Sequence, residues 1–161
     1  YIFWLHRQLK KLGKTSLKPI TKRIRSNGNV MYYFYTYTFS NFCFLHNDFY
    51  GNFPYKKRIP LNIYLFEELL TPQALAIWIK DDGGTQKYGL TIETHSFTEK
   101  EVDYLCELLF RKFNLNCNKN KTGTINQFRI RIKEESLKDL AILIKPYIHI
   151  SKYYKLRKYL N

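Results

Sequence analysis

Apolar positions recur at helical spacing over residues 2–12, where Ile2, Leu5, Leu9 and Leu12 share one side and Gly13 follows as a stop. Residues 14–25 carry Lys14, Lys18, Lys22, Arg23 and Arg25 and read as a basic loop. Asn27-Gly28 is a turn signal. Residues 30–39 are rich in β-branched and aromatic side chains and predict a strand. Its row Tyr33, Tyr35, Tyr37 and Phe39 is expected to be core, with Phe34, Thr36 and Thr38 opposite. Residues 40–50 predict a short helix with Phe42, Leu45, His46 and Phe49 on one side. Residues 51–60 form a loop carrying Lys56, Lys57 and Arg58.

The most sharply bounded element spans 71–84. Thr71 can accept from the first free N–H groups, and Pro72 suits the first helical position. Gly83 and Gly84 are expected to take the left-handed conformation that ends a helix. Leu75, Ala76 and Ile79 form an apolar face, with Ala74 and Ala76 small enough for another helix to approach closely. Asp81 and Asp82 sit at the negative end of the helix dipole, where an acid is unfavourable by roughly 0.3–1 kcal/mol. A compensating cation is expected there, and a divalent metal is the natural one. A solvated helix end is the plainer alternative.

Beyond it, Tyr88, Leu90 and Ile92 alternate with Lys87, Gly89, Thr91 and Glu93, which predicts a half-buried strand. Ser96 or Thr98 caps a helix with Val102, Leu105, Cys106, Leu109 and Phe113 on its apolar face. Residues 117–121 and 125–133 predict a hairpin around Thr122-Gly123. In its second strand Phe128, Ile130 and Ile132 point one way and Gln127, Arg129, Arg131 and Lys133 the other. A helix follows through Leu137, Leu140, Ala141 and Ile144, and another from Ser151 to the end. The order of elements repeats. Helix 2–12 matches 99–113, strand 30–39 matches 125–133, helix 40–50 matches 134–145, and the loop at Lys57 matches that at Lys155. Only residues 71–98 lack a counterpart, so a pseudo-symmetric protein is expected to have a further helix of this kind before Tyr1.

Charge changes the picture. Lys plus Arg outnumber Asp plus Glu by 27 to 13, giving +14 and a pI near 9.7. That balance is a statement about partners and points to nucleic acid. It makes the row Gln127, Arg129, Arg131 and Lys133 a candidate nucleic-acid surface, since Arg suits phosphate forks and guanine edges. A solvated sheet face is the alternative. There is no apolar run of about 18 residues to span a bilayer, and no membrane partner is expected. Cys43, Cys106 and Cys117, like the four histidines, show no zinc spacing, and the odd cysteine count argues against a disulfide framework. Fourteen Tyr and 12 Phe beside abundant Lys, Asn and Ile are what an AT-rich genome encodes, which points to an organelle. With Tyr1 first and no presequence evident, the chain is expected to be processed or a fragment.

The stretch Leu75-Ala76-Ile77-Trp78-Ile79-Lys80-Asp81-Asp82-Gly83 closely resembles the motif of the LAGLIDADG homing endonucleases. Ile77 replaces the family's usual small residue, and Lys80 replaces an acid. The resemblance continues through Thr94-His95-Ser96-Phe97, Phe113-Asn114-Leu115-Asn116-Cys117 and Lys145-Pro146-Tyr147 to Tyr154-Lys155-Leu156. It is strongest to the two-motif, omega-type enzymes of mitochondrial group I introns. It implies an α+β fold in which a twisted antiparallel sheet is backed by helices, with 1–60 a partial first lobe and 61–161 a complete lobe. It implies that Asp82, with Gly83 beside it, holds Mg²⁺ near a scissile phosphate. Lys155 and Lys57 match basic residues flanking the active sites and join Asp82 as catalytic candidates, generic phosphate contact being the alternative for both lysines. Lys56, Arg58, Lys87, His95, Lys119 and Lys121, with Gln127, Arg129, Arg131 and Lys133, are the candidate nucleic-acid contacts.

Two functions follow from the resemblance. One is a mitochondrial, intron-encoded endonuclease cutting duplex DNA with Mg²⁺. It would need a second acid, from a homodimer or a separate N-terminal piece. The other is a non-catalytic relative that binds structured RNA, as an intron maturase or as a component of an organellar ribosome or other large ribonucleoprotein.

Overall fold

The computed structural model describes residues 1–16, 18–51, 57–60 and 62–159. The chain packs as two units, Tyr1–Cys43 and Phe44–Asn161, so the contact boundary falls before the 60/61 division expected above.

In the first unit, helix α1 (Ile2–Lys11) precedes a hairpin of β1 (Thr21–Ile24) and β2 (Val30–Tyr33). Thr21 pairs with Tyr33 and Ile24 with Val30 around the Asn27-Gly28 turn, where Gly28 takes φ 79°. The basic stretch therefore contains a strand, because the apolar run of β2 needs a backbone partner and the turn folds one back onto it. The expected strand 30–39 ends at Tyr33. Beyond it only Thr36 forms a bridge, to Thr15, and Tyr35 and Tyr37 stand 61% and 49% exposed rather than in a core. A 3₁₀ turn (Ser40–Phe42) leads into α2 (Cys43–Tyr50), of which all but the first residue belongs to the second unit.

The second unit is built on a four-stranded antiparallel sheet in the order β3-β4-β6-β5. These strands are β3 (Gly83–Gln86), β4 (Gly89–Glu93), β5 (Cys117–Lys121) and β6 (Phe128–Lys133). Register decides which side each residue faces. Leu90 pairs with Ile132 and Ile92 with Ile130, and these four side chains are fully buried. Thr91 opposite Arg131 and Glu93 opposite Arg129 lie on the other face. β4 begins only at Gly89. Lys87 and Tyr88 belong to the β3–β4 turn, and Tyr88, expected on the apolar side, is 59% exposed. The hairpin between β5 and β6 closes through Thr122–Gln127 backbone bonds, with Asn126 left-handed.

The helices are α3 (Ile63–Leu69), α4 (Pro72–Asp82), α5 (Glu99–Phe113) and α6 (Leu137–Ile144), followed by a 3₁₀ segment (Ile150–Tyr159). Thr98 starts α5 with a capping box, its side chain accepting from the Glu101 N–H and the Glu101 carboxylate reaching back to the Thr98 N–H. Val102, Leu105, Leu108 and Leu109 of α5 and Leu137, Leu140, Ala141 and Ile144 of α6 join the sheet's apolar face in one core.

Helix α4 starts as expected, with Thr71 accepting from the Ala74 N–H at 3.2 Å and Pro72 at the first position. Its apolar face does not await another helix. Leu75, Ala76 and Ile79 are fully buried in this unit's own core, where α4 packs on α6, β3 and β4. What α4 leaves open is the stripe of Gln73, Ile77 and Asp81, with Ala74 and Trp78 half-buried. The far end also differs from expectation. Gly83 has φ −76° and ψ 139°, and Gly84 is not left-handed either. The helix runs directly into β3. Glycine is required at 83 for space, since a Cβ there would stand 2.4 Å from the Ile79 carbonyl oxygen.

Candidate functional site

Asp81 and Asp82 are exposed at the last turn of α4. Behind them lie two buried lysines. Lys155, 5% exposed, comes from the C-terminal 3₁₀ segment and donates to the carbonyls of Ile79 at 3.0 Å and Lys80 at 2.7 Å. Lys80, fully buried, donates to the Tyr147 carbonyl at 3.2 Å. The cation that meets the last carbonyls of this helix end is thus an ammonium. Burial holds both lysines below the ordinary lysine range. For Lys155, the like charge of Lys152 adds to burial, while Asp81 and Asp82 oppose it.

Among the described residues no three His, Cys, Asp or Glu side chains gather as a metal cage. The oxygen donors at this end of α4 are the two carboxylates and the Gly83 backbone. One or two carboxylates completed by phosphate and water is how Mg²⁺ is ordinarily held, so this donor set fits that ion.

The open face of the sheet is the second part of the site. A groove of about 350 Å³ is lined by Gln86, Lys87, Tyr88, Thr91, Asn120, Lys121, Arg129 and Arg131. Arg131 donates from Nη2 to the Tyr88 carbonyl at 2.8 Å. Arg129 lies 3.6 Å from Glu93, whose other oxygen meets His95 Nε2 at 2.6 Å. Glu93 is thus an acid set among the bases, holding two of them.

The remaining candidates scatter. Lys133 ends β6, exposed, opposite Gly89, and Gln127 sits in the hairpin turn beside Lys121 and Asn126 rather than on the strand. Lys119 turns away from the groove. It pairs with Ile130, faces the helix layer, and bridges Glu99 and Asp103 of α5 at 2.8 Å each. Arg58 caps α2, donating to the carbonyls of Asp48 at 3.1 Å and Asn47 at 3.3 Å. Lys57 lies against the Phe97 ring, 5.3 Å from its centroid. Lys56 falls outside the described residues. Asn118 and Asn120, absent from the candidates above, face the groove side because they pair with Arg131 and Arg129. That register becomes visible only once the hairpin closure is known.

Residues 1–140 match the family model of the LAGLIDADG DNA endonuclease family. The chain is 37% identical to the cytochrome b mRNA maturase bI2 of Debaryomyces hansenii, over 99% of its own length and 61% of that protein's. To the cytochrome b mRNA maturase bI2 of Saccharomyces cerevisiae it is also 37% identical, covering 39% of that protein. To the intron-encoded endonuclease ai4 of Dictyostelium discoideum it is 42% identical, over 78% of this chain and 76% of that one. The chain therefore spans about three fifths or less of the length of the two maturases. A solved structure of the homing endonuclease I-WcaI bound to its DNA recognition sequence superposes with a TM-score of 0.76 at 27% identity, over 97% of this chain and 71% of that one. With the motif on α4, the helix-backed antiparallel sheet and a match running from residue 1 to 140, the chain belongs to the LAGLIDADG DNA endonuclease family.

Proposed function

We propose that the chain works in site-specific, Mg²⁺-dependent cleavage of duplex DNA, with Asp82 as the acid that brings the metal to the phosphate. The observation that carries this reading is the end of α4. Lys155 takes the helix carbonyls, and the carboxylate of Asp82 stands exposed where a phosphate can approach. Asp82, with Asp81 and the Gly83 backbone, would hold the ion. When bound, Mg²⁺ supplies Lewis acidity toward the phosphate and an acidified water. The rest falls to the chain's own groups. Lys155 and Lys80 fix the helix end from inside. Arg129, Arg131, Lys87 and Lys121 hold the nucleic acid along the open sheet face. The DNA-bound I-WcaI structure supports the substrate class. Mitochondrial residence is part of the proposal, supported by the similarity to cytochrome b mRNA maturases and by the AT-rich cast of the composition.

The test is incubation of the purified chain with intronless target duplexes in Mg²⁺. Cutting of at least one strand is expected, and Asp82→Asn should lower it by about 100-fold or more, the scale on which one electrostatic contributor at a reacting phosphate counts. No cleavage at any Mg²⁺ concentration would sink the proposal. A second reading, RNA binding without cleavage, draws on the same two maturases, which align over 99% of this chain. It predicts instead that structured intron RNA, and not duplex DNA, wins a competition for the protein. On that reading the protein acts as a maturase or as a component of a ribonucleoprotein.

A further inference from the structure

The basic side chains of the groove are not alike in how firmly they are held. Lys87 and Lys121 are exposed ammonium groups at its edge. Arg129 is tied to Glu93, which it shares with His95. Arg131 differs from all three. Like Arg129 it sits on β6, an interior strand of the sheet, but its side chain crosses toward the β3–β4 turn, where Nη2 donates to the Tyr88 carbonyl at 2.8 Å. The path runs over Gly89, whose missing Cβ would lie 3.6 Å from Arg131 Nε. That Nε is shut off from water and has no hydrogen-bond partner.

We propose that Arg131 is the residue of this sheet that reads a guanine edge in the major groove of duplex DNA. The inference rests on the DNA-binding reading above and goes past it by naming the reader and the base. A guanidinium pinned at one nitrogen has little rotamer freedom left to lose on binding, and its plane is set before the ligand arrives. A pinned fork matches two acceptors at fixed separation, which is what guanine O6 and N7 present. An interior strand lies under the centre of a groove-bound duplex, where base edges lie, rather than at the rim, where phosphates pass, and of its two arginines Arg131 is the one held by a carbonyl rather than shared with an acid. Because Nε is shut off from water, no acceptor of a ligand reaches it, and the edge left to face a base is that of the two terminal nitrogens.

The experiment is selection of bound duplexes from a library with a randomised central segment, using the full chain and Arg131→Lys. The wild-type chain should fix a guanine at one position. Arg131→Lys should lose that preference by about tenfold, and lose less on duplexes lacking that guanine. A second measurement leaves the protein untouched. Placing 7-deazaguanine at the position removes the N7 acceptor, and should weaken wild-type binding about tenfold while scarcely moving the Lys variant. Equal loss on every duplex, with the salt slope reduced by about one, would make Arg131 a phosphate contact and overturn the inference. So would a wild-type chain that binds duplexes but fixes no guanine, or a Lys variant that keeps every preference. A chain that binds no duplex, or prefers structured RNA, overturns the DNA reading and the inference together.

Discussion

Lys155 is the residue on which the end of α4 depends. It is almost fully buried, and two of its donors go to the carbonyls of Ile79 and Lys80. Two effects compete when its charge is removed. Replacing a buried ion by an apolar side chain can stabilise, because desolvation is no longer opposed. Here the partners are backbone carbonyls that stay behind: Ile79 keeps the Gly83 N–H, but the Lys80 carbonyl loses the ammonium, and leaving it buried without that donor costs about 1–3 kcal/mol. The second effect should win. Lys155→Met, which keeps the stem and drops the ammonium, is expected to lower Tm by roughly 2–12 °C. An unchanged melting temperature would mean that the ammonium does not cap the helix. Lys155 also shows where residue-level reading stops. Its place near the motif acid was legible from the family resemblance. Its role was not, because the contact joins residues 75 and 76 positions apart in the chain and no local pattern announces it. That α4 ends at Asp82 and Gly83 was legible because helix ends carry local signals, although Gly83 answers to the Ile79 carbonyl and not to a left-handed turn.

At the scale of elements, the repeat is written in the order of structures more than in letters. The first run is α1, the β1–β2 hairpin, a three-residue 3₁₀ turn and the eight-residue α2. The second is α5, the β5–β6 hairpin, a three-residue 3₁₀ turn and the eight-residue α6. Periodicity alone showed one strand of the first hairpin and missed its basic partner, since Lys22 and Arg23 resemble loop residues until a neighbour supplies hydrogen bonds. Lys119 was misread for a related reason. Alternation says which residues share a face, but only pairing with Ile130 says which face it is. Helix α3, with no clear period of its own, was passed over, and it is held to α5 through Glu67. Arg111 donates to both Glu67 oxygens, Tyr104 adds its hydroxyl at 2.8 Å, and Lys112 reaches the Glu67 carbonyl. The Arg111 bonds, then that of Tyr104, hold the Glu67 carboxyl down from the ordinary 4.5 to about 2. A depressed carboxyl contributes its stability in full above its unfolded value and loses it as pH falls through the folded one. Glu67→Gln should therefore show a Tm deficit at neutral pH that closes as pH drops from 4.5 toward 2. A deficit constant over that window would place the clamp in shape rather than in charge.

For the whole molecule, the surplus of +14 matters only where it faces a ligand, and the structure sorts it. Lys80 and Lys155 are buried against carbonyls, Lys119 and Arg111 are tied to acids, and Arg58 caps a helix. Lys87, Lys121, Arg129 and Arg131 line one open sheet face, Arg129 with Glu93 beside it. Net charge was legible from the sequence, whereas its division between internal work and outward field required the register of the sheet. Phosphate contacts release condensed counterions, so each one neutralised contributes about −0.9 to the slope of log affinity against log salt on duplex DNA. Charges tied to internal acids or buried under a helix end release none. The slope should therefore follow the groove residues and not the total charge. Lys87→Ala with Lys121→Ala should flatten it by about two, whereas Lys119→Ala, which removes one positive charge from the helix side of the sheet, should leave it unchanged. Filter binding to a random-sequence duplex across a salt series decides the matter. Equal flattening by Lys119→Ala and by either groove lysine alone would mean that the whole molecule's field, and not the open face of the sheet, draws the nucleic acid.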